Sequence, residues 1–222
     1  SCINLGLSLA DAIDLSQIHR KKISLSLAKE DALKSKLISL MNSDSFAADL
    51  FESGAKNYLH LYNSIDYDKR HKFFIIRLPK KKINRLAEEK AFAKAVKYTV
   101  TDSSMYRMQE SLLDLEPHDL TAESYFFLAL NALRFKATKK AMFYLEIAQK
   151  KSYFQIDKDK ALFWRHLISD DFYLLKELSQ SSDINMYTLY ANEKLGRDVQ
   201  NYFTTLPLKD SPSNINIRDP YA

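Results

Sequence analysis

The sequence predicts an all-α protein built from irregular α-α repeats that form a curved superhelix. Three observations carry this. The 222 residues include only three glycines and five prolines, too few for the turns and close backbone approaches of a β-sandwich or a doubly wound sheet. Apolar residues return at spacings of three and four along most of the chain, the period of a helix with one buried side. The aromatic runs Tyr125-Phe126-Phe127 and Leu162-Phe163-Trp164 stand 37 residues apart at the front of successive helix pairs, within the range of helical repeats. The tetratricopeptide consensus is absent, so the repeats are irregular units that bury their apolar sides by stacking. A hydrophobic content of 46% suffices for a sizeable core.

The elements follow in order. From Ala10 to Met41 helical spacing runs through Ile13, Ile18, Ile23, Leu27, Leu33, Leu37 and Leu40, with a boundary near Asp31. Ser45 to Tyr62 reads as one helix with Phe46, Leu50, Tyr58, Leu59 and Tyr62 inside and Gly54 as its soft spot. In Asp66 to Leu78, the run Phe73-Phe74-Ile75-Ile76 fits a buried helical turn or a strand. No partner strand is visible elsewhere, which decides for helix. Pro79 starts a helix through Ile83, Leu86, Ala87, Phe92 and Val96. Asp102 or Ser103 caps Met105 to Leu115, and Pro117 lies beyond its end. Thr121 caps Ala122 to Phe135, and Thr138 caps a helix through Ala141, Tyr144, Leu145 and Ala148; these two form an antiparallel hairpin.

Lys160 to Gly196 holds two or three short helices. In the last, Ile184, Tyr187, Ala191 and Leu195 share one side, Asp183 can cap the start, and Gly196 can take the left-handed position past the end. A short helix is expected through Val199 to Phe203. The domain division is then 1–205 as an α-superhelical scaffold and 206–222 as a polar, proline-containing linker.

Composition and charge exclude several function classes. No apolar run approaches a membrane span. Cys2 has no second cysteine to pair with, and is read either as an ordinary residue near a processing boundary or as a lipidated N-terminal cysteine. The five histidines, His19, His60, His71, His118 and His166, show no metal-ligand spacing. Three distant glycines cannot build a phosphate loop, so no cofactor is expected. Of the net charge of +5, the window Lys69 to Lys97 carries +9 and the rest −4. Lys80, Lys81, Lys82 and Arg85 are the candidate contacts to an anionic polymer; such runs are commonly a solvated helix face, and nucleic acid is not the expected partner.

The motif pair Ala161-Leu162-Phe163-Trp164 and Tyr187-Thr188-Leu189-Tyr190-Ala191-Asn192-Glu193-Lys194-Leu195-Gly196 resembles the last helical repeats of Slt-type soluble lytic murein transglycosylases, in the epsilonproteobacterial form. Ser124 to Arg134 and Asp219-Pro220-Tyr221-Ala222 are similar to the same family, the latter to residues that open its catalytic domain. The resemblance implies a non-catalytic, periplasmic scaffold. Its partners would be peptidoglycan and a C-terminal catalytic domain of the same polypeptide, absent from this chain. Enzymes of that family cleave the bond between N-acetylmuramic acid and N-acetylglucosamine with a Glu in a Glu-Ser-x-Phe motif, followed by a Gly-Leu-Met-Gln segment. Glu123-Ser124-Tyr125-Phe126 matches the first half alone, in the first turn of a helix where an acid favours the dipole. Glu123 is therefore read as a decoy. Trp164, Tyr187 and Tyr190 are the candidate glycan or domain contacts, since aromatic rings stack on sugars, seal domain contacts, or simply fill the space between helices. The rival reading is a helical-repeat adaptor for a peptide or helix, unrelated to peptidoglycan.

Overall fold

The computed structural model describes residues 6–41 and 45–198. These are all-helical, with no strand among the described residues. The elements are α1 (Leu9–Ile13), α2 (Gln17–Leu27), α3 (Ala32–Leu40), α4 (Phe46–Glu52), α5 (Ala55–Ser64), α6 (Tyr67–Phe74), α7 (Lys80–Ala87) and α8 (Phe92–Thr101). After a 3-10 turn (Ser103–Met105) come α9 (Tyr106–Leu112), α10 (Ala122–Arg134), α11 (Thr138–Lys151), α12 (Gln155–Ser169), α13 (Phe172–Ser179) and α14 (Met186–Lys194).

Short polar side chains set most starts. Ser16, Asp31, Asp66 and Thr121 each accept a hydrogen bond from the backbone N–H three residues on, satisfying donors that no helical carbonyl can reach. The cap of α14 is Asn185, which accepts from the Tyr187 and Thr188 amides; it replaces the expected Asp183. Thr138 is the first residue of α11 and makes no capping bond. The expected helix over 45–62 is two helices, broken at Gly54, whose φ of 130° is open to few residues but glycine. The helix from Pro79 also divides, ending at Ala87 and resuming at Phe92. Helix α6 stops at Phe74, so Ile75 and Ile76 lie beyond it. The expected Met105 to Leu115 helix is a 3-10 turn followed by α9. The helix expected through Val199 to Phe203, the linker expected over 206–222 and Cys2 fall outside the described residues.

The seam between α2 and α3 is polar. Ser24 Oγ donates to Ser35 O at 2.9 Å and Ser35 Oγ to Ser24 O at 2.7 Å, both residues buried. Two small reciprocal hydroxyls let the backbones approach closely, while Ile18 and Leu33 are left exposed. The predicted apolar stripe therefore misplaced those two residues.

The main core runs from α1 to α12. Near its middle, Phe74 sends its ring edge-to-face against Tyr58 and Tyr62, centroids 5.1 and 5.2 Å away. Thr99 Oγ1 donates to Ala95 O at 2.7 Å, so the Tyr62 hydroxyl is the donor in its 2.8 Å bond to Thr99 Oγ1. Burial pushes the Tyr58 hydroxyl well above its ordinary pKa and Tyr62 up to about 12. A raised acid pKa means stability that is complete below the unfolded value near 10 and is lost as pH rises through the folded value. Urea titrations at stepped pH are thus expected to show stability falling from about pH 10, and a Tyr62→Phe variant should flatten part of that fall.

From α8 onward the packing is regular. Helices α10, α11, α12, α13 and α14 each pack on the next, α8 also touches α10, and α12 also touches α14. Contacts to the neighbour and the next but one are what stacked helical hairpins produce. In the α10–α11 hairpin, Tyr125 and Tyr144 meet with centroids 5.8 Å apart. Their hydroxyls donate to His118 O and Leu115 O, fastening the 113–121 connection beneath them.

Candidate functional site

Helix α12 carries the aromatic candidates on two of its sides. Trp164 turns toward α10, where its ring stands 6.2 Å from Phe126 in an edge-on arrangement, and it packs against the main core. Phe163, one position back, turns toward α14. It receives Tyr187 at 5.2 Å and Tyr190 at 5.1 Å, centroid to centroid. These rings, with Leu162, Leu175, Leu178, Ala191, Leu174 and Leu195, form a second, smaller apolar cluster. The structure brings the two tyrosines together but not Trp164 with them. All three are half-buried, so each has one side committed to inter-helix packing and an edge left at the surface.

A buried carboxylate, which the sequence reading did not single out, ties this unit together. Asp159 on α12 is 1% exposed. Its Oδ2 accepts from Ser181 Oγ at 2.7 Å and from Asn185 Nδ2 at 2.8 Å, while Oδ1 accepts from Gln155 Nε2 at 2.9 Å. Three donors answer the charge in place of a cation. Asn185 is also the cap of α14, so one acid fixes both the connection after α13 and the start of α14. Its sequence neighbours are Lys158 and Lys160, and only Ile156 and Leu162, three positions away on either side, hint that it faces inward.

The basic candidates have partners from distant sequence. Lys80 Nζ lies 2.7 Å from Glu116 and Lys82 Nζ 2.6 Å from Glu52. Lys82 and Arg85 also cover the Phe51 ring, at 4.8 and 5.8 Å from its centre. Lysine hydrogen bonds hold the Glu52 and Glu116 carboxyls below their usual range. These pairs are exposed and individually worth little, but they answer two of the four charges. No ion pair is recorded for Lys81 or Arg85 among the described residues. The face keeps about half of the charge its sequence advertises.

Glu123 sits in the first turn of α10 with its side chain 63% exposed, 2.9 Å from Lys97 Nζ. A general acid working at neutral pH needs a buried setting, and this side chain is open to solvent and paired with a lysine. Glu123, Phe126, Ser152, Tyr153, Asp157 and Lys160 border a shallow groove of about 310 Å³. His118 Nε2 bonds Asn84 Oδ1 at 2.8 Å, and His166 Nδ1 bonds Asp171 O at 3.0 Å. Both are engaged in fastening helices. Among the described residues no group of three or more His, Cys, Asp or Glu is placed to hold a metal ion, and no helix is long and apolar enough to cross a membrane.

No known protein-family model matches this chain, and no curated protein matches it.

Proposed function

We propose that this chain is the non-catalytic helical scaffold of a periplasmic lytic transglycosylase, one that positions glycan strands or a catalytic domain following it in the same polypeptide. The observation that carries the reading is the motif pair in α12 and α14. Its supporting structural feature is that Phe163 of the first motif packs on Tyr187 and Tyr190 of the second. The two stretches that carry the resemblance are thus one physical unit, locked at its base by Asp159. The stacked order of α10 to α14 suits a superhelical scaffold, whose neighbouring units bury one another's apolar sides.

The chain's own part is binding and placement. Half-exposed ring edges at Trp164, Tyr187 and Tyr190 offer apolar surface to a sugar face or a neighbouring domain. Lys81 and Arg85 offer charge to an anionic polymer.

Incubation with purified murein sacculi tests the reading. The chain is expected to sediment with sacculi, or to do so when joined to its catalytic partner, and to release no anhydromuropeptides. A Glu123→Gln variant should behave identically. Release of product that the Glu123→Gln change abolishes would overturn the reading. Absence of any association in either form would favour the helical-repeat adaptor.

A further inference from the structure

Helix α2 carries an apolar line on its outer side. Ile18 and Leu25 are 69% and 71% exposed, and no other leucine or isoleucine among the described residues is more than half exposed. Standing seven positions apart, they lie within about 20° of one another around a helix of 3.6 residues per turn. Arg20, Ser24 and Leu27 are buried on the other side, where Ser24 meets Ser35 of α3. With that side committed to the fold, the line of Ile18 and Leu25 faces outward.

Its surroundings are cationic. Lys21 and Lys22 flank the line and Lys29 continues it just past the helix end, all three exposed. No ion pair is recorded for any of them among the described residues. Residues 17–40, which make up the α2–α3 hairpin, hold six lysines or arginines and two acids, Glu30 and Asp31, a balance of +4. Asp31 is engaged in capping α3. The acids of the preceding α1 region are engaged as well, Asp11 with Ser8 and Asp14 with Lys69.

Lysines on a helix face need no partner, and neither does a single exposed aliphatic side chain. Interleaved along one line, they match a partner with an anionic layer over an apolar one. A soluble polyanion would use the charges and leave both aliphatic side chains in water, whereas a bilayer with anionic headgroups takes up both. We propose that the outer face of α2 binds the surface of an anionic lipid bilayer. Ile18 and Leu25 then sit at the boundary of headgroups and acyl chains, with Lys21, Lys22 and Lys29 among the phosphates. The 11 residues of α2 lie on such a surface and are far short of the roughly 20 that a span requires. Two aliphatic side chains make a weak anchor, so binding is reversible and needs the charges too. The inference stands apart from the cell-wall reading.

Flotation of the full chain with liposomes is the test. The chain should float with vesicles of roughly one-third phosphatidylglycerol in phosphatidylcholine, and not with phosphatidylcholine alone. An Ile18→Ser, Leu25→Ser double variant changes only exposed positions, and should weaken binding at least about tenfold. A Lys21→Gln, Lys22→Gln variant should weaken it roughly 30-fold at low salt and less at high salt. A Lys81→Gln, Arg85→Gln variant on α7 should bind like the unchanged chain. Failure to float with the phosphatidylglycerol vesicles would overturn the proposal. So would binding that the aliphatic double variant leaves unchanged, which is plain charge adsorption, or binding lost only in the α7 variant.

Discussion

A Phe74→Ala variant is expected to lose about 3–5 kcal/mol of folding stability, the usual range for a large aromatic removed from a core that cannot collapse around the gap. Phe74 is fully buried and its ring is the shared partner of Tyr58 and Tyr62. Those two are fully buried themselves and sit in register on α5. Tyr62 is held by its hydroxyl to Thr99, so its ring has little freedom to move into the space. Equilibrium urea denaturation reads the loss. A change below about 1.5 kcal/mol would mean that the site collapses and that the edge-to-face cluster is not the anchor of α6.

The second large effect is expected at Asp159. Replacement by Ala leaves Ser181 Oγ and Asn185 Nδ2 without their acceptor, and Gln155 Nε2 with only Ser181. Hydrogen bonds to a charged group typically contribute about 1.5–3 kcal/mol each but overlap when they share one acceptor, so a loss of about 2–4 kcal/mol is expected. Its distribution matters more than its size. Hydrogen exchange should accelerate across α13 and α14 while α10 and α11 keep their protection, because the acid ties only the last two helices to α12. Uniform acceleration through the hairpin, or no acceleration at all, would remove Asp159 from this role. Asp159→Asn keeps an acceptor oxygen and should fall between the two.

These two residues show what could and could not be read from sequence. Signals confined to a few residues came through: Thr121 caps where expected, the boundary near Asp31 is there, Gly196 takes the left-handed position, and the α10–α11 hairpin forms. Those features depend on backbone geometry that a short stretch decides alone. The splits at Gly54 and after Ala87 were missed because the apolar period continues across both breaks. The Ser24–Ser35 seam was missed because hydrophobic periodicity does not register a polar contact. For the candidate site, the spacing of Tyr187 and Tyr190 placed them near each other on α14, but nothing local says that Phe163 receives both. Likewise the acids that answer Lys80 and Lys82 come from Glu116 and Glu52, some thirty residues away in either direction. Partners brought by tertiary packing leave no trace in local spacing.

If this helical array serves a murein-cleaving domain in the same polypeptide, as proposed, that domain is encoded next to it. The most direct measurement is the native coding sequence downstream of Ala222. The expected result is an open frame carrying Glu-Ser-x-Phe followed by Gly-Leu-Met-Gln, in a domain whose removal abolishes anhydromuropeptide release from sacculi. A stop codon directly after Ala222, or a downstream frame without that motif pair, would contradict it.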